Sequence, residues 1–435
     1  MTVASAALGG RVQQIAPADY NIDIAAYVLE AGPRRNIRTI AYNSQIPGPL
    51  LRLREGQPVT IDVTNHTTSS EVVHWHGLFL PPEVDGAMEE GTPAIPAGGQ
   101  ARYTFTPRPA GFRWYHTHTF AGKDLHKGQY TGEHGFLLIE PRDHPGRYDQ
   151  EIFLALHDWG SELLASADGA MDPAYEVSTI NGRVLGFGEP LRVKTGQRVL
   201  FHILNSSPTE VHWLALAGHP FRVIALDGNE VPQPQLVPMV RLAPAERVSA
   251  LVEMNHPGAW VLGEVRKHIM AAGMGIAVEY AGSSGKPRWE QPDSLSWDYL
   301  RFAATDPASP SEAIALPLVF ASKFAGHGAM DHWTINGKSY PETAGPMLNA
   351  GQRYRLSFIN HSSNDHPVHL HRHSFELRRL PGHSEIHGIL KDTVLVDANT
   401  QVEVEFTANN PGPTLFHCHQ QNHMDAGFMM LLRYA

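Results

Sequence analysis

The sequence predicts an all-β chain built from three tandem copies of one β-sandwich, and two repeated phrases predict it. The first is Gly-Gln followed by Asn: Gly56-Gln57 to Asn65, Gly196-Gln197 to Asn205, and Gly351-Gln352 to Asn360. Apolar residues alternate inside each phrase, as Val59-Ile61-Val63, Val199-Phe201-Ile203 and Tyr354-Leu356-Phe358. A period of two marks a half-buried strand, here closed by an Asn turn. The second phrase follows in each copy. Pro109-Ala110-Gly111 leads to Trp114-Tyr115-His116-Thr117-His118, Pro257-Gly258 leads to Val261 through Val265, and Pro411-Gly412 leads to Leu415-Phe416-His417-Cys418-His419. The copies span roughly 140 residues each, a common domain size. Boundaries are expected near residues 143 and 290, giving domains 1–143, 144–290 and 291–435, with Pro141-Arg142-Asp143 and Gly282 to Pro287 as linkers.

Composition agrees with this reading. The chain has 39 Gly and 33 Pro, which suits many tight turns, and 42% hydrophobic residues, enough for a sizeable core. A formal charge of -10 argues against nucleic acid or an anionic membrane as partner. No run of about 18 apolar residues is present, so no helical membrane span is expected. Met1 to Gly10 lack a basic start and a full apolar stretch. The compartment is therefore left between periplasmic or secreted, after removal of a precursor peptide, and cytoplasmic. Oligomeric state is not legible.

The 26 histidines are the compositional anomaly. Nine and eleven residues past the Asn, copy one has His74 and His76, copy three has His369 and His371, and copy two has Leu214 and Leu216. Five and seven residues past the second-phrase Gly lie His116 and His118, Gly263 and Val265, then His417 and His419. On a strand each His-x-His pair puts two imidazoles on one face, about 7 Å apart. If the outer copies pack together, eight rings converge. Eight neutral imidazoles suit three coppers, two with three nitrogens and one with two. The middle copy keeps the scaffold without the ligands, as a spacer that also shapes a pocket.

Cys418 is the only cysteine, so no internal disulfide forms, and in a His cluster its thiol reads as a metal ligand. It faces away from His417 and His419, so one strand can touch two metal sites. His423, five residues on, and His366, three before His369, supply two imidazoles for a trigonal copper site. The position five after His423 is Phe428, which cannot coordinate; a missing axial donor raises the site potential. The alternative is that Phe428 is core and Met429 or Met430 approaches the copper.

His74-Trp75-His76-Gly77, Trp114 to His118, His366 to His371 and His417-Cys418-His419 with His423 together resemble the four copper motifs of multicopper oxidases, over essentially the whole chain. The three-domain laccase group is the most similar. The resemblance implies cupredoxin-like Greek-key domains and four copper ions: one type 1, one type 2 and two type 3. It implies Cys418, His366 and His423 at type 1, His74 and His369 at type 2, and His76, His116, His118, His371, His417 and His419 at type 3. It further implies oxidation of phenols or aromatic amines at type 1, with four electrons reducing O2 to two waters. Phe428 resembles high-potential laccases more than bacterial metal oxidases, which have Met there. Asp85, before Gly86, resembles the acid near the trinuclear cluster and is a proton-relay candidate, or a turn residue. Many bacterial relatives carry an acid directly after the final His; here Met424 stands there and Asp425 is the shifted candidate. His126, His134, His212, His327 and His332 read as structural or surface, and His373 as a neighbour of the ligands. The competing functions are a metallo-oxidase for Cu(I) or Fe(II), against which no Met-rich run is present, and a non-catalytic copper scaffold, which does not need eleven ligands. A nitrite reductase is disfavoured by Thr117, where copy one would need a cysteine.

Overall fold

The computed structural model describes residues 16–140, 148–165, 171–283, 285–306, 312–323 and 332–435. Met1 to Gly10, the expected linker at 141–143 and His327 lie outside them. The structure is 52% strand and 6% helix, in line with the predicted all-β class. Its described strands form six sheets, two from each successive third of the chain.

The same construction recurs three times. A long strand (Tyr20–Gly32, Gln150–Ala165 or Ile314–Lys323) pairs parallel with the strand of the Gly-Gln phrase (Val59–Asn65, Arg198–Asn205 or Arg353–Asn360). Each phrase ends on a buried Asn whose amide donates to two or three backbone carbonyls, while its oxygen accepts the N–H two residues on. Asn65 donates to Ser69, Ile95 and Pro96, and Asn360 to Asn364, Val396 and Asp397. The Asn repeats because only its short amide can satisfy both ends of this turn locally. Inward residues of the paired sheets make the core. In the first third Ile22, Ile24, Ile61 and Val63 meet Leu51, Trp75, Leu137 and Ile139.

A second antiparallel pair in each third carries the positions of interest: Val73–His74 against Gly111–Thr117, His212–Leu216 against Ala259–Glu264, and His366–Leu370 against Thr414–Cys418. The register corrects one sequence alignment. Val73 faces Thr117 and Val368 faces Cys418, but Leu214 faces Glu264. The middle counterparts of the first histidine pairs are therefore Ala215 and Ala217, not Leu214 and Leu216. The cause is a longer turn. Asn205 reaches the carbonyl of Glu210, five residues on, where Asn65 and Asn360 reach four residues on.

Candidate metal centres

The two outer thirds bring His74, His76, His116, His118, His369, His371, His417 and His419 into one buried cluster. Hydrogen bonds fix which nitrogen of most rings points inward. Nδ1–H of His74, His116, His369 and His417 donates to the carbonyls of Asp85, Thr117, Asp392 and Cys418, at 2.7–2.8 Å. Nδ1 of His371 lies 3.0 Å from Asp85 Oδ2. His76 is turned the other way, with Nε2 3.1 Å from Asp392 Oδ1. The nitrogens left over, among them Nε2 of His74, His116 and His369, Nδ1 of His76 and both of His419, are buried without a hydrogen-bond partner.

That arrangement is costly unless a cation fills it. An unpaired buried polar nitrogen forfeits about 1–3 kcal/mol. Nε2 of His371 and His417 face each other at 3.0 Å although each ring already donates through Nδ1, so two lone pairs oppose. Ring nitrogens of His74, His369 and His371, of His74, His76 and His116, and of His118, His371 and His417 each fall within 4.8 Å of one another. Burial holds His76, His116, His371, His417 and His419 well below the usual imidazole range, and His118 and His369 down to about 3, so these rings stay neutral, as ligands must. The donor set fits several borderline cations sharing one cavity.

On the far face of the strand Thr414–Cys418 lies a second set. Cys418 Sγ is 3.7 Å from His366 Nδ1 and 3.6 Å from His423 Nδ1, and those nitrogens are 3.1 Å apart. The helix Gln421–Asp425 folds His423 back to this position. Ser362 Oγ holds His366 Nε2 at 2.9 Å. Burial raises the Cys418 thiol and lowers His423 to about 3, so the site is neutral until a cation displaces the thiol proton. Phe428 is fully buried with its ring 4.8 Å from that of His366, and Trp333 covers His423 and His366 at 4.2 and 4.6 Å. Met429 packs with Ala87, Leu415 and Met424, while Met430 joins the core around Phe416. His417 and Cys418 thus tie the two sets together through one peptide unit, and His417 Nδ1–H also donates to the Cys418 carbonyl.

Of the expected acids, Asp85 is in the cluster. Its Oδ2 lies 3.0 Å from His371 Nδ1 and 3.2 Å from His74 Nδ1, and its Oδ1 is buried and unpartnered. Asp425 is elsewhere. Its carboxylate accepts the N–H groups of Ala121 and Gly122 and the amide of Gln421, clamping the His423 helix to the first third, and burial raises it to about 6.

Three residues escaped the sequence reading. Glu90 lies 3.7 Å from His371, Asp392 touches His76 and His369, and Arg247 grips Asp392. Pair spacing and repeat matching gave no signal for them. His126 and His332 are exposed, whereas His134 is buried against His157 and His373 is held by Tyr434.

Family models described as multicopper oxidase match residues 27–144, 154–278 and 318–435. Multicopper oxidase MmcO of Mycobacterium tuberculosis is 30% identical over 441 residues, covering 92% of this chain and 83% of that protein. The chain belongs to the multicopper oxidase family. Laccase-2 of Trametes versicolor is 27% identical over 90% of this multicopper oxidase and 85% of its own length. The structure of Fet3p, a multicopper oxidase that functions in iron import, superposes with a TM-score of 0.84 at 20% identity, over 95% of this chain and 90% of that one, a likeness of fold. This multicopper oxidase is accordingly an oxygen oxidoreductase with copper cofactors and cupredoxin-like Greek-key sandwiches. No described helix is long and apolar enough to cross a membrane.

Proposed function

We propose that this enzyme is laccase-like, oxidising phenols or aromatic amines and reducing O2 to water. The observation that carries the reading is the strand Thr414–Cys418, which presents Cys418 to one donor set and His417 to the other. Residues 1–143 and 291–435 supply every ligand, and residues 144–290 none. Cys418, His366 and His423 hold the type 1 ion, His74 and His369 the type 2 ion, and His76, His116, His118, His371, His417 and His419 the type 3 pair. When bound, these four coppers supply one-electron oxidation of the donor and four-electron reduction of O2.

The chain's own residues do the rest. The peptide unit joining His417 to Cys418 gives a short covalent path between the sets, and the hydrogen bond from His417 Nδ1–H to the Cys418 carbonyl gives a second route. Trp333 and Phe428 keep water from the thiolate side, which favours the reduced ion and a high potential. The unpartnered Oδ1 of Asp85 is placed to hold a proton beside the cluster. Asp425, tied to backbone amides, positions the His423 helix in this reading. The same reading puts the enzyme in the periplasm or outside the cell.

O2 uptake by the copper-loaded protein with a phenol, an aromatic amine, Fe(II) and Cu(I) tests the substrate class. Faster turnover of the organic donors is expected. Faster turnover of either metal ion would replace this reading with a metallo-oxidase, and no uptake with any donor would replace it with a copper scaffold.

A further inference from the structure

We infer that the middle third of the chain, which supplies no ligand, sets the ring orientation of two cluster histidines through Arg247. The inference rests on the copper reading above and adds a positioning apparatus to it. Asp392 is the hinge. Its carboxylate receives the Arg247 fork at both oxygens, Nη1 to Oδ1 at 2.7 Å and Nη2 to Oδ2 at 2.6 Å. With the fork in place, Oδ1 also lies 3.1 Å from His76 Nε2 and 3.1 Å from Thr393 Oγ1, both of which donate to it. A carboxylate can only accept, so His76 must carry its proton on Nε2 and turn a bare Nδ1 inward. The cluster rings held by carbonyls or by Asp85 are all held at Nδ1, so His76 owes its reversed setting to Asp392. The Asp392 carbonyl meanwhile holds His369 at Nδ1, and the His76 and His369 rings stack 3.7 Å apart.

Arg247 is itself fixed from the middle third. Its Nη groups donate to the carbonyls of Ala245 at 3.0 Å and Asp227 at 3.1 Å, and its backbone N–H donates to Asp227 Oδ1 at 2.9 Å. Asp227 Oδ2 accepts from the N–H groups of Asp392 and Thr393 and from Lys391 Nζ, pinning the segment that carries the hinge. Space agrees with this. Gly77, which follows His76, has φ +84°, and a Cβ there would come within 2.7 Å of Asp392 Oδ2 and 2.9 Å of Arg247 Nη2. Arg247 and Asp227 are positioning residues, since they touch ligands only through Asp392.

A purely structural role for this buried network predicts lost stability with ordinary copper binding in whatever folds. Arg247→Lys separates the two, because it keeps the charge and loses the fork. In copper-loaded full-length protein, the visible absorption of the Cys418 site per folded chain should stay at the wild-type level. Copper retention by the cluster against a competing chelator should fall roughly 10- to 100-fold, the usual cost of losing a ligand's supporting partner. In copper-free protein labelled with 15N-histidine, one ring should change from the Nε2–H form toward a mixture. Wild-type copper retention together with an unchanged ring tautomer would overturn the inference. If Arg247→Lys does not fold, Asp227→Asn, which loosens Arg247 and the Asp392 segment without touching His76, is read the same way. If wild type shows no copper-dependent visible band, the copper reading fails by itself, and the tautomer measurement still decides whether Arg247 acts on His76.

Discussion

The middle and last thirds of the chain place a histidine and one other side chain at the same two register positions, with opposite outcomes. In the last third these are His366 and Cys418, 3.7 Å apart, neutral and without a counter-ion. In the middle third they are His212 and Glu264, 3.0 Å apart, with Asp158 closing on the other ring nitrogen at 2.7 Å. Burial alone would lower His212, but Asp158 and then Glu264 outweigh it and raise it to about 9. One site satisfies every atom with its own charges. The other leaves a thiol and two bare nitrogens waiting for a cation. The first third holds a third version, Thr117 donating to Glu71 at 3.2 Å. A shared scaffold thus carries a closed ionic pair or an open ligand set, according to whether the strand residue is Glu or Cys.

The strongest way to break this comparison is Cys418→Ser. Loss of the intense visible absorption and of donor oxidation is expected, because a hydroxyl cannot replace a thiolate toward copper. Survival of the colour would remove Cys418 from the site.

The next effect is on stability. His212→Gln leaves Asp158 buried without its cation, while Glu264 keeps Arg266 at 3.0 Å, and should cost about 3–5 kcal/mol. Calorimetry should show the lower midpoint, while the visible absorption of the folded protein is retained. Direction with pH sharpens the test. His212 is raised above its unfolded value of about 6.5, so its contribution is complete below that pH and is lost as pH climbs through about 9. His118, His369 and His423 are lowered to about 3, so copper-free protein loses stability as pH falls from about 6.5 toward 3. The His212→Gln variant should lose the alkaline decline and keep the acid one. An alkaline decline unchanged in the variant would assign it to other groups.

The legible part of the site was written in residue type and spacing. Cys418 and the four His-x-His pairs stand at repeat positions on strands, where a period of two fixes the face. What was not legible depends on turn length and on distant partners. One extra residue between Asn205 and Glu210 shifts the middle register, so His212 looked like a stray histidine when it is the counterpart of His366. Arg247 and Asp392 are 145 residues apart, and nothing local in either segment announces the other. Asp425 matched a position one residue out of step, but its oxygens are taken by Ala121, Gly122 and Gln421, contacts set by packing between thirds.

The smallest expected effect is also the finest probe of the open site. Phe428 lies against the His366 ring in a fully buried position and offers no donor atom. Phe428→Met keeps apolar volume nearly constant, so the fold should tolerate it at below about 1.5 kcal/mol. The thioether adds a weak axial ligand that stabilises the oxidised ion more than the reduced one. A redox titration of the visible band should therefore show a lower potential, with slower oxidation of high-potential phenols and little change for easily oxidised donors. An unchanged or higher potential would mean that residue 428 does not face the metal. The same exchange cannot be performed in the middle third, where His212 already has both nitrogens engaged. Sensitivity to the axial residue therefore belongs to the open version of the shared site and not to the closed one.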